Sequence, residues 1–589
     1  MNKIFLPLII ILLMFSLTVY PFTATTSSSH IIVINEMRPT GRLGILILLD
    51  GFSVDVLTQV NTPNIDELAS QYRLFVTTTI LPAITVAVTT ALATGVLPNE
   101  SYVVASYAYN ATEYHTCPLD EIPPLYRADT IRNKNLTWLI EALNKKGVIV
   151  EGIISESKVA DNFAGPRGIF DKRIDLPDEV IGGDPYSTTY PVEKRKEVVE
   201  WITNQTIELI KESLSFLKLG KDVFILVDYP EPDWCGHALG PSSSDYAQVI
   251  EKIDEEIGRL KEALEELNVW QNTLMFVLAD HSHADVIPYL NLVDISSDKL
   301  HLPDIKVEHI GEFAGGLAHI YLKFPEKDIR DAISSIIGKP WLKSIWVRED
   351  YYDLVQDLPV NGTLKDIGLN CDFSGDIVID IKPPYYASYY SNRGTHGGTA
   401  TQKIPILIAG GMVITEKLAT IQDIRVIDIA PTIVAFFGAH MKTAKGKILD
   451  IFYQPGEVSI EISPKIATIG ESITVDITYE LPTDLTSASL SIDVYNETEH
   501  LVFHNTTTVT GRGTYETSIK IEEEGIYYLL ASIVDNNGKI RCSAFVRFMI
   551  SKPIEVPQPW GQIYISIALA TILIVIMFAI PIVYRKVSR

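Results

Sequence analysis

Cysteine is scarce. Four residues, Cys117, Cys235, Cys371 and Cys542, occur in a chain of 589, too few for a fold stapled by disulfides. They allow three pairings, and the sequence does not choose among them. Positive charge is also short: 49 Lys and Arg stand against 73 Asp and Glu, for a net charge of −24 and a pI near 4.9. Gripping nucleic acid through its phosphates needs clustered basic residues, so that class of function is excluded. No internal repeat is evident. What the chain does have is length, and 589 residues exceed one ordinary core, so two or more folded domains are expected.

Both ends are hydrophobic, in different ways. After Lys3 the stretch Ile4 to Tyr20 is apolar and is followed by small and hydroxyl residues at Ala24 to Ser29; residues 1–29 read as a secretory signal or an uncleaved N-terminal anchor. Near the other end, Ile563 to Tyr584 is almost uniformly apolar, long enough to cross a hydrocarbon core of about 30 Å. Trp560 precedes it and Arg585, Lys586 and Arg589 follow. The positive-inside tendency therefore places residues 585–589 in the cytoplasm and the bulk of the chain outside, as a single-pass protein of the cell membrane. Sequons at Asn99, Asn110, Asn135, Asn204, Asn361, Asn496 and Asn505 permit surface glycosylation.

Between these ends two patterns succeed each other. From about Leu43 to Gly438, short apolar runs alternate with amphipathic stretches, the signature of a layered α/β domain, assigned to residues 43–450. Tyr246 to Leu267 is the clearest helix, with Val249, Ile250, Ile253, Ile257, Leu260 and Leu264 at helical spacing. A second is expected from Ile427 to Phe437, stopped by Gly438. After Pro455 the segments SITVDITY, SLSIDVY, TSIKI and YYLLASIVD alternate apolar and polar residues between turn-rich pieces. Residues 455–550 are expected to form an immunoglobulin-like β-sandwich, although the Cys…Trp…Cys spacing of antibody domains is absent. Proline-rich residues 551–562 read as a stiff connector to the membrane helix at 563–584.

Chemistry-bearing residues fall just past the apolar runs. GILILL leads to Asp50, DVFILV to the loop EPDWCGH with Asp233 and His237, and TLMFVLA to Asp280 and His281. His396 lies in RGTHGG, between the strand-like DIVIDI and KIPILIAGG. An open α/β sheet delivers such loop residues to the crevice outside its strands' carboxyl ends. Three aspartates and three histidines gathered there would hold two divalent metal ions, able to clamp the attacking and leaving oxygens of an in-line displacement at phosphorus. Thr85 is the candidate nucleophile, because it opens a helix-compatible run ended by Gly95. A hydroxyl there feels the positive end of the helix dipole. In EPDWCGH the glycine is expected to make a turn through which a short loop presents Asp233 and His237 to one ion. Asp280 and His281 are adjacent, so both can serve only where the strand has ended.

These motifs resemble the alkaline phosphatase superfamily, specifically the type I phosphodiesterase and nucleotide pyrophosphatase group, and also phosphonoacetate hydrolases. The matching pieces are LLDGF, the Thr85 segment ending ATGVLP, EPDWCGH, ADHSH, RGTHGG and DIAPTIVAFFG. The resemblance implies an α/β fold of the alkaline-phosphatase type around a mostly parallel central sheet. It also implies one zinc held by Asp50, Thr85, Asp280 and His281, and a second held by Asp233, His237 and His396. The implied reaction passes through a phosphothreonine-type intermediate on Thr85. Mixed carboxylate and imidazole donors agree independently with catalytic zinc.

The chain departs from its relatives at several places. They carry an asparagine after the nucleophile, where Ser106 stands here, and phosphonoacetate hydrolases supply two lysines where this chain has Glu156 and Lys158. The C/S-x-P-x-R setting of sulfatases does not surround Thr85. Ser106, Lys158 and Arg393 are the candidate substrate contacts, and His283 is read as an exposed or outer histidine near the site. With Lys158 and Arg393 as the cations in view, a phosphodiester or nucleotide is the expected small-molecule substrate, since monoesters carry further negative charge. Phosphomonoester or phosphonoacetate-type hydrolysis is the alternative within the enzyme class. An inactive surface scaffold or adhesion protein is the alternative outside it.

Overall fold

The computed structural model describes residues 41–552 except 119–120, 294–301, 389, 453–455, 483–484, 499, 537 and 539. The expected N-terminal signal at 1–29, the membrane helix at 563–584 and the tail at 585–589 lie outside these residues. So does all but the start of the 551–562 connector. Among the described residues, no helix is long and apolar enough to cross a membrane. The four cysteines are free thiols.

Seven strands form the central sheet, in the order Arg73–Thr78, Lys403–Ala409, Thr273–Leu278, Leu43–Leu49, Val223–Tyr229, Ile149–Ile154, Lys172–Asp175. The last five are mutually parallel. Leu43–Leu49, Val223–Tyr229 and Thr273–Leu278 are buried at every position, which requires cover on both faces and explains why they read as unbroken apolar runs instead of alternating ones. One cover comes from Val192–Lys218 and Ser244–Glu266. The latter matches the expected helix, and Ser243 caps it by accepting from the Tyr246 backbone N–H at 3.2 Å. The other comes from Thr85–Thr94, Leu139–Lys146, Ser157–Ala164 and Ile429–Phe436.

The sheet is mixed, not purely parallel. Lys403–Ala409 runs antiparallel to both of its neighbours, so its amino end lies at the same edge as the carboxyl ends of the parallel strands. That reversal decides how His396 reaches the site, because the segment before Lys403 enters at the crevice side. The DIVIDI run, strand Ile377–Ile381, belongs elsewhere: it sits inside a separate five-stranded sheet with His309–Ala314, Leu317–Leu322, Leu342–Val347 and Gly362–Thr363.

Beyond Phe452, eight strands make two sheets. Glu457–Ser463, Ser472–Glu480 and Arg512–Lys520 form one; Ile466–Thr468, Ile540–Ser551, Gly525–Val534, Ala488–Asn496 and Leu501–Val509 form the other. In Ser472–Glu480 alternate residues Ile473, Val475 and Ile477 are buried, and they meet Leu490, Ile492, Val494, Leu529 and Ile533 in a core of their own. This is the period-two pattern of strands with one wet face.

Candidate active site

Helix Thr85–Thr94 is buried along its whole length, unusual for a segment with four threonines. Their hydroxyls are satisfied inside the helix or beside it. Thr89, Thr90 and Thr94 donate to the carbonyls four residues back, at 2.5, 2.7 and 2.7 Å, and Asn162 donates to Thr89 Oγ1 at 2.9 Å. Thr85 alone points its hydroxyl out of the helix's first turn, 3.3 Å from both carboxylate oxygens of Asp50 and 3.3 Å from His281 Nε2. Gly95 ends the helix at φ +69°, a conformation a side chain would strain.

Asp50, at the end of Leu43–Leu49, and Asp280 with His281, just past Thr273–Leu278, converge beside it. His281 Nε2 lies 3.4 Å from Asp50 Oδ1 and 3.4 Å from Asp280 Oδ2. Asp280 Oδ1 is held by the backbone N–H groups of Gly51 and His281 at 3.1 and 2.9 Å. The ligand atoms of Asp50, Asp280 and His281 all fall within 4.8 Å of one another, and those of Asp233, His237, His283 and His396 form a second such group.

The Asp233 segment corrects one expectation. EPDWCGH is not a glycine-turned loop but the body of helix Glu231–Leu239. Pro232 in the first turn, with Glu231 and Asp233 beside it, favours helix initiation. A spacing of four then puts Asp233 and His237 on one face, with His237 Nε2 3.4 Å from Asp233 Oδ1. Gly236 has a different use: a Cβ there would meet the His283 ring at 2.8 Å. His396 follows the short strand Gly394–Thr395, which pairs with Ala284–Asp285. Its Nε2 lies 3.0 Å from His237 Nε2 and 3.6 Å from Asp233 Oδ1.

These spacings fit a pair of divalent cations. Donors about 2.0–2.1 Å from one tetrahedral ion stand roughly 3.3–3.4 Å apart, and that is the separation of Thr85 from Asp50, of His281 from Thr85, Asp50 and Asp280, and of His237 from Asp233. Asp233 Oδ1 and Asp280 Oδ2 are buried without a hydrogen-bond partner, which is costly unless something else engages them. Burial, before any other cause, pushes the Asp233 and Asp280 carboxyls up to about 7 and Asp50 well above its ordinary range. It likewise depresses His237 to about 4 and holds His281 and His396 well below the usual imidazole value. A divalent cation favours bare carboxylates, which burial alone opposes, and takes the neutral imidazoles that burial already favours.

The second group opens, together with Thr85 beside the first, on a cavity of about 770 Å³ lined by Thr85, Asp233, His237 and His396. Tyr107, Tyr186, Phe313 and Tyr390 bring aromatic surface to it, and Asp184 and Glu312 bring carboxylates. Ser106 and Lys158 line it too, so Lys158 is not a plain surface lysine. Its Nζ pairs with Glu156 Oε2 at 2.5 Å. Burial would lower its pKa, but Glu156, Asp50 and Asp233 together hold it well above the ordinary value, keeping it a cation. Arg393 is exposed and is not among the cavity's lining residues; its contribution is a backbone N–H donated to the His237 carbonyl at 3.0 Å. His283, expected at the periphery, is buried within the second donor group. Tyr186 and Glu312 arrive on segments with no motif to announce them, so nothing in the local sequence marked them.

Residues 44–401 match the family model described as type I phosphodiesterase / nucleotide pyrophosphatase. The bis(5'-adenosyl)-triphosphatase of Pongo abelii is 23% identical over 181 residues, which are 28% of this chain and 38% of that protein. Human ectonucleotide pyrophosphatase/phosphodiesterase family member 1 is 34% identical over 77 residues, 13% of this chain and 8% of its own length. The chain thus spans well under two thirds of the curated relatives it matches. Among solved structures, an inactive form of murine ectonucleotide pyrophosphatase/phosphodiesterase 5 in complex with AMP aligns at 16% identity and TM-score 0.48, over 69% of this chain and 97% of that one. Phosphonoacetate hydrolase from Sinorhizobium meliloti in complex with phosphonoformate aligns at 14% identity and TM-score 0.45, over 67% and 95%.

Proposed function

The chain belongs to the type I phosphodiesterase and nucleotide pyrophosphatase family of the alkaline phosphatase superfamily, and from that premise we propose that it hydrolyses phosphodiester or phosphoanhydride bonds of a nucleotide-like small molecule, with Thr85 as nucleophile. The carrying observation is the convergence of two donor groups beside one cavity, with the Thr85 hydroxyl held against the Asp50 and His281 of one of them. Asp50, Thr85, Asp280 and His281 would hold one divalent cation, and Asp233, His237 and His396 the other. Zinc is the identity this mixed nitrogen and oxygen set suits. Bound there, the ions supply Lewis-acid charge to the attacking and departing oxygens.

The residues set up the rest. Thr85 Oγ1 is fixed by Asp50 and His281 so that, once its proton has passed to solvent, it attacks phosphorus in line, and the P–O bond to the leaving alcohol or phosphate breaks as the phosphothreonine forms. The first turn of its helix offers unpaired N–H groups and a positive dipole end to the phosphoryl oxygens. Water then releases the product and regenerates the hydroxyl. The lining favours a diester over a monoester: among the described residues Lys158 is its single Lys or Arg, while Asp184 and Glu312 would repel a second negative charge on the phosphate. Tyr107, Tyr186, Phe313 and Tyr390 provide surface on which a planar base can stack.

The decisive experiment is a hydrolysis panel of nucleotide diesters, lipid head-group diesters and monoesters, run on purified protein before and after chelation and metal return. Thr85→Ala should lower diester hydrolysis by at least about 10³-fold, the scale on which loss of a nucleophile is felt, with Thr85→Ser retaining more. Unchanged cleavage by the alanine variant removes Thr85 from the role. As part of the same proposal, residues 455–550 form an immunoglobulin-like module that holds the catalytic unit outside the cell, anchored through 563–584. That placement rests on the apolar run and its flanking charges.

A further inference from the structure

We infer that His283 is a fourth protein ligand of the Asp233 site, which raises its nitrogen donors to three against one at the oxygen-rich Asp50 site. This rests on the two-metal reading above and adds a residue to it.

All four imidazoles are oriented by one device. Nδ1 of His237 faces the Gly394 carbonyl at 3.2 Å, that of His396 the Ala83 carbonyl at 3.1 Å, and that of His281 the Ser282 carbonyl at 3.3 Å. Nδ1 of His283 faces the Gly51 carbonyl at 3.3 Å. An Nδ1–H given to a carbonyl fixes the tautomer and leaves Nε2 as a bare lone pair, the arrangement that metal-bound histidines show. In His283 that Nε2 is buried, lacks any hydrogen-bond partner, and lies 3.4 Å from Asp233 Oδ1, the same distance as His237 Nε2. Its ring stands 4.9 and 5.1 Å from the rings of His237 and His396.

The surroundings are shaped to admit this ring. A Cβ on Gly51 would come within 2.7 Å of His283 Cε1, and one on Gly236 within 2.8 Å of the ring, so two motif glycines leave the space it fills. Its backbone is clamped as well. The His283 N–H donates to Ser53 Oγ at 2.9 Å, the Ser53 N–H donates to the Tyr246 hydroxyl at 2.8 Å, and that hydroxyl donates to the Gly51 carbonyl at 2.8 Å. A histidine that only filled space would need neither a directed Nδ1 nor an unpaired Nε2 among other ligands.

The Asp233 site then offers three imidazoles and one carboxylate. The Asp50 site offers two carboxylates, one imidazole and the Thr85 hydroxyl. Nitrogen donors select borderline first-row ions such as zinc and cobalt, while an oxygen-rich set also accepts harder ions such as manganese. The Asp233 site therefore fills first and releases its ion last.

Cobalt(II)-loaded protein tests this without mutation. Each imidazole bound through Nε2 contributes one paramagnetically shifted, exchangeable ring N–H proton resonance, and the inference requires four, from His237, His281, His283 and His396. Three such signals overturn the role of His283 and leave the two-metal reading standing; none overturns both. Zinc competition against a chelator gives the second readout on full-length His283→Gln. Loss of a direct ligand should weaken the tighter site by more than about 100-fold, and a shift inside the roughly 10–100-fold range of outer-shell partners overturns the assignment.

Discussion

Arg195→Met is the substitution whose consequence the structure fixes most fully. Arg195, on helix Val192–Lys218, is wholly buried and donates from Nη1 to Glu231 Oε2 at 2.9 Å and from Nη2 to the Pro185 carbonyl at 2.7 Å. Glu231 is equally buried and is the first residue of the helix that carries Asp233 and His237. Methionine fills much of the volume but strands the carboxylate, and breaking a buried pair from one side destabilises by about 3–5 kcal/mol. Glu231 has an escape, since it can take up a proton. Burial already raises it to about 7, against the lowering effect of Arg195. The sign follows: a carboxyl whose folded pKa exceeds its unfolded value contributes stability at low pH that is lost as pH rises through the folded value. Without Arg195 the folded value climbs further and the loss extends to higher pH. The gap between variant and parent should therefore be small near pH 6 and widen above pH 7, at a rate approaching about 1.4 kcal/mol per pH unit. Urea unfolding followed by tryptophan fluorescence from pH 6 to 9 measures it. Arg195→Met with Glu231→Gln should recover most of the loss above pH 7. A gap independent of pH, or one below about 1 kcal/mol throughout, refutes the reasoning, because the threshold for a broken buried pair lies well above it.

Gly236→Ala places a methyl 2.8 Å from the His283 ring. Overpacking of about 1–3 kcal/mol should outweigh the roughly 1 kcal/mol gain in helix propensity, and chelator competition should show zinc held less tightly, by about 10–100-fold; a variant with unchanged zinc affinity counts against the packing described. Removing residues 553–589 should move the protein from the membrane fraction to the soluble one with its specific activity intact, and a truncated chain still sedimenting with membranes would sink the anchoring proposal.

Much of the site was legible because buried parallel strands write themselves as apolar runs, so the residues past Leu49 and Leu278 could be placed at one edge. Thr85 was legible from the helix-compatible run and its closing glycine. EPDWCGH was readable as a ligand pair but not as a helix, since Pro and Gly in so short a segment signal a turn. Pro232 sits in the first turn, where its missing N–H costs nothing, and Gly236 is retained for the imidazole that packs on it. His396 was found by type, but its route was not, because strand direction at Lys403–Ala409 is set by pairing with Arg73–Thr78 and Thr273–Leu278 and leaves no local mark. His283 was read as an outer or exposed histidine for a similar reason: three residues of ADHSH can converge on one place only if the chain coils after Leu278, a tertiary fact. The alternation after Pro455 was the plainest signal of all, since residues one apart in Ser472–Glu480 do face opposite ways.

The eight-stranded module sits at the other pole of the central sheet. Arg42 and Asp222, at the amino ends of Leu43–Leu49 and Val223–Tyr229, share a cleft of about 300 Å³ with Tyr479, Arg512 and Cys542, whereas Thr85 lies by the residues past the carboxyl ends. The cleft and the cavity thus lie at opposite ends of the parallel strands. With the module at the amino ends, the crevice at the carboxyl ends stays uncovered by it, so that a substrate carried on a bulky body could dock there without colliding with the module.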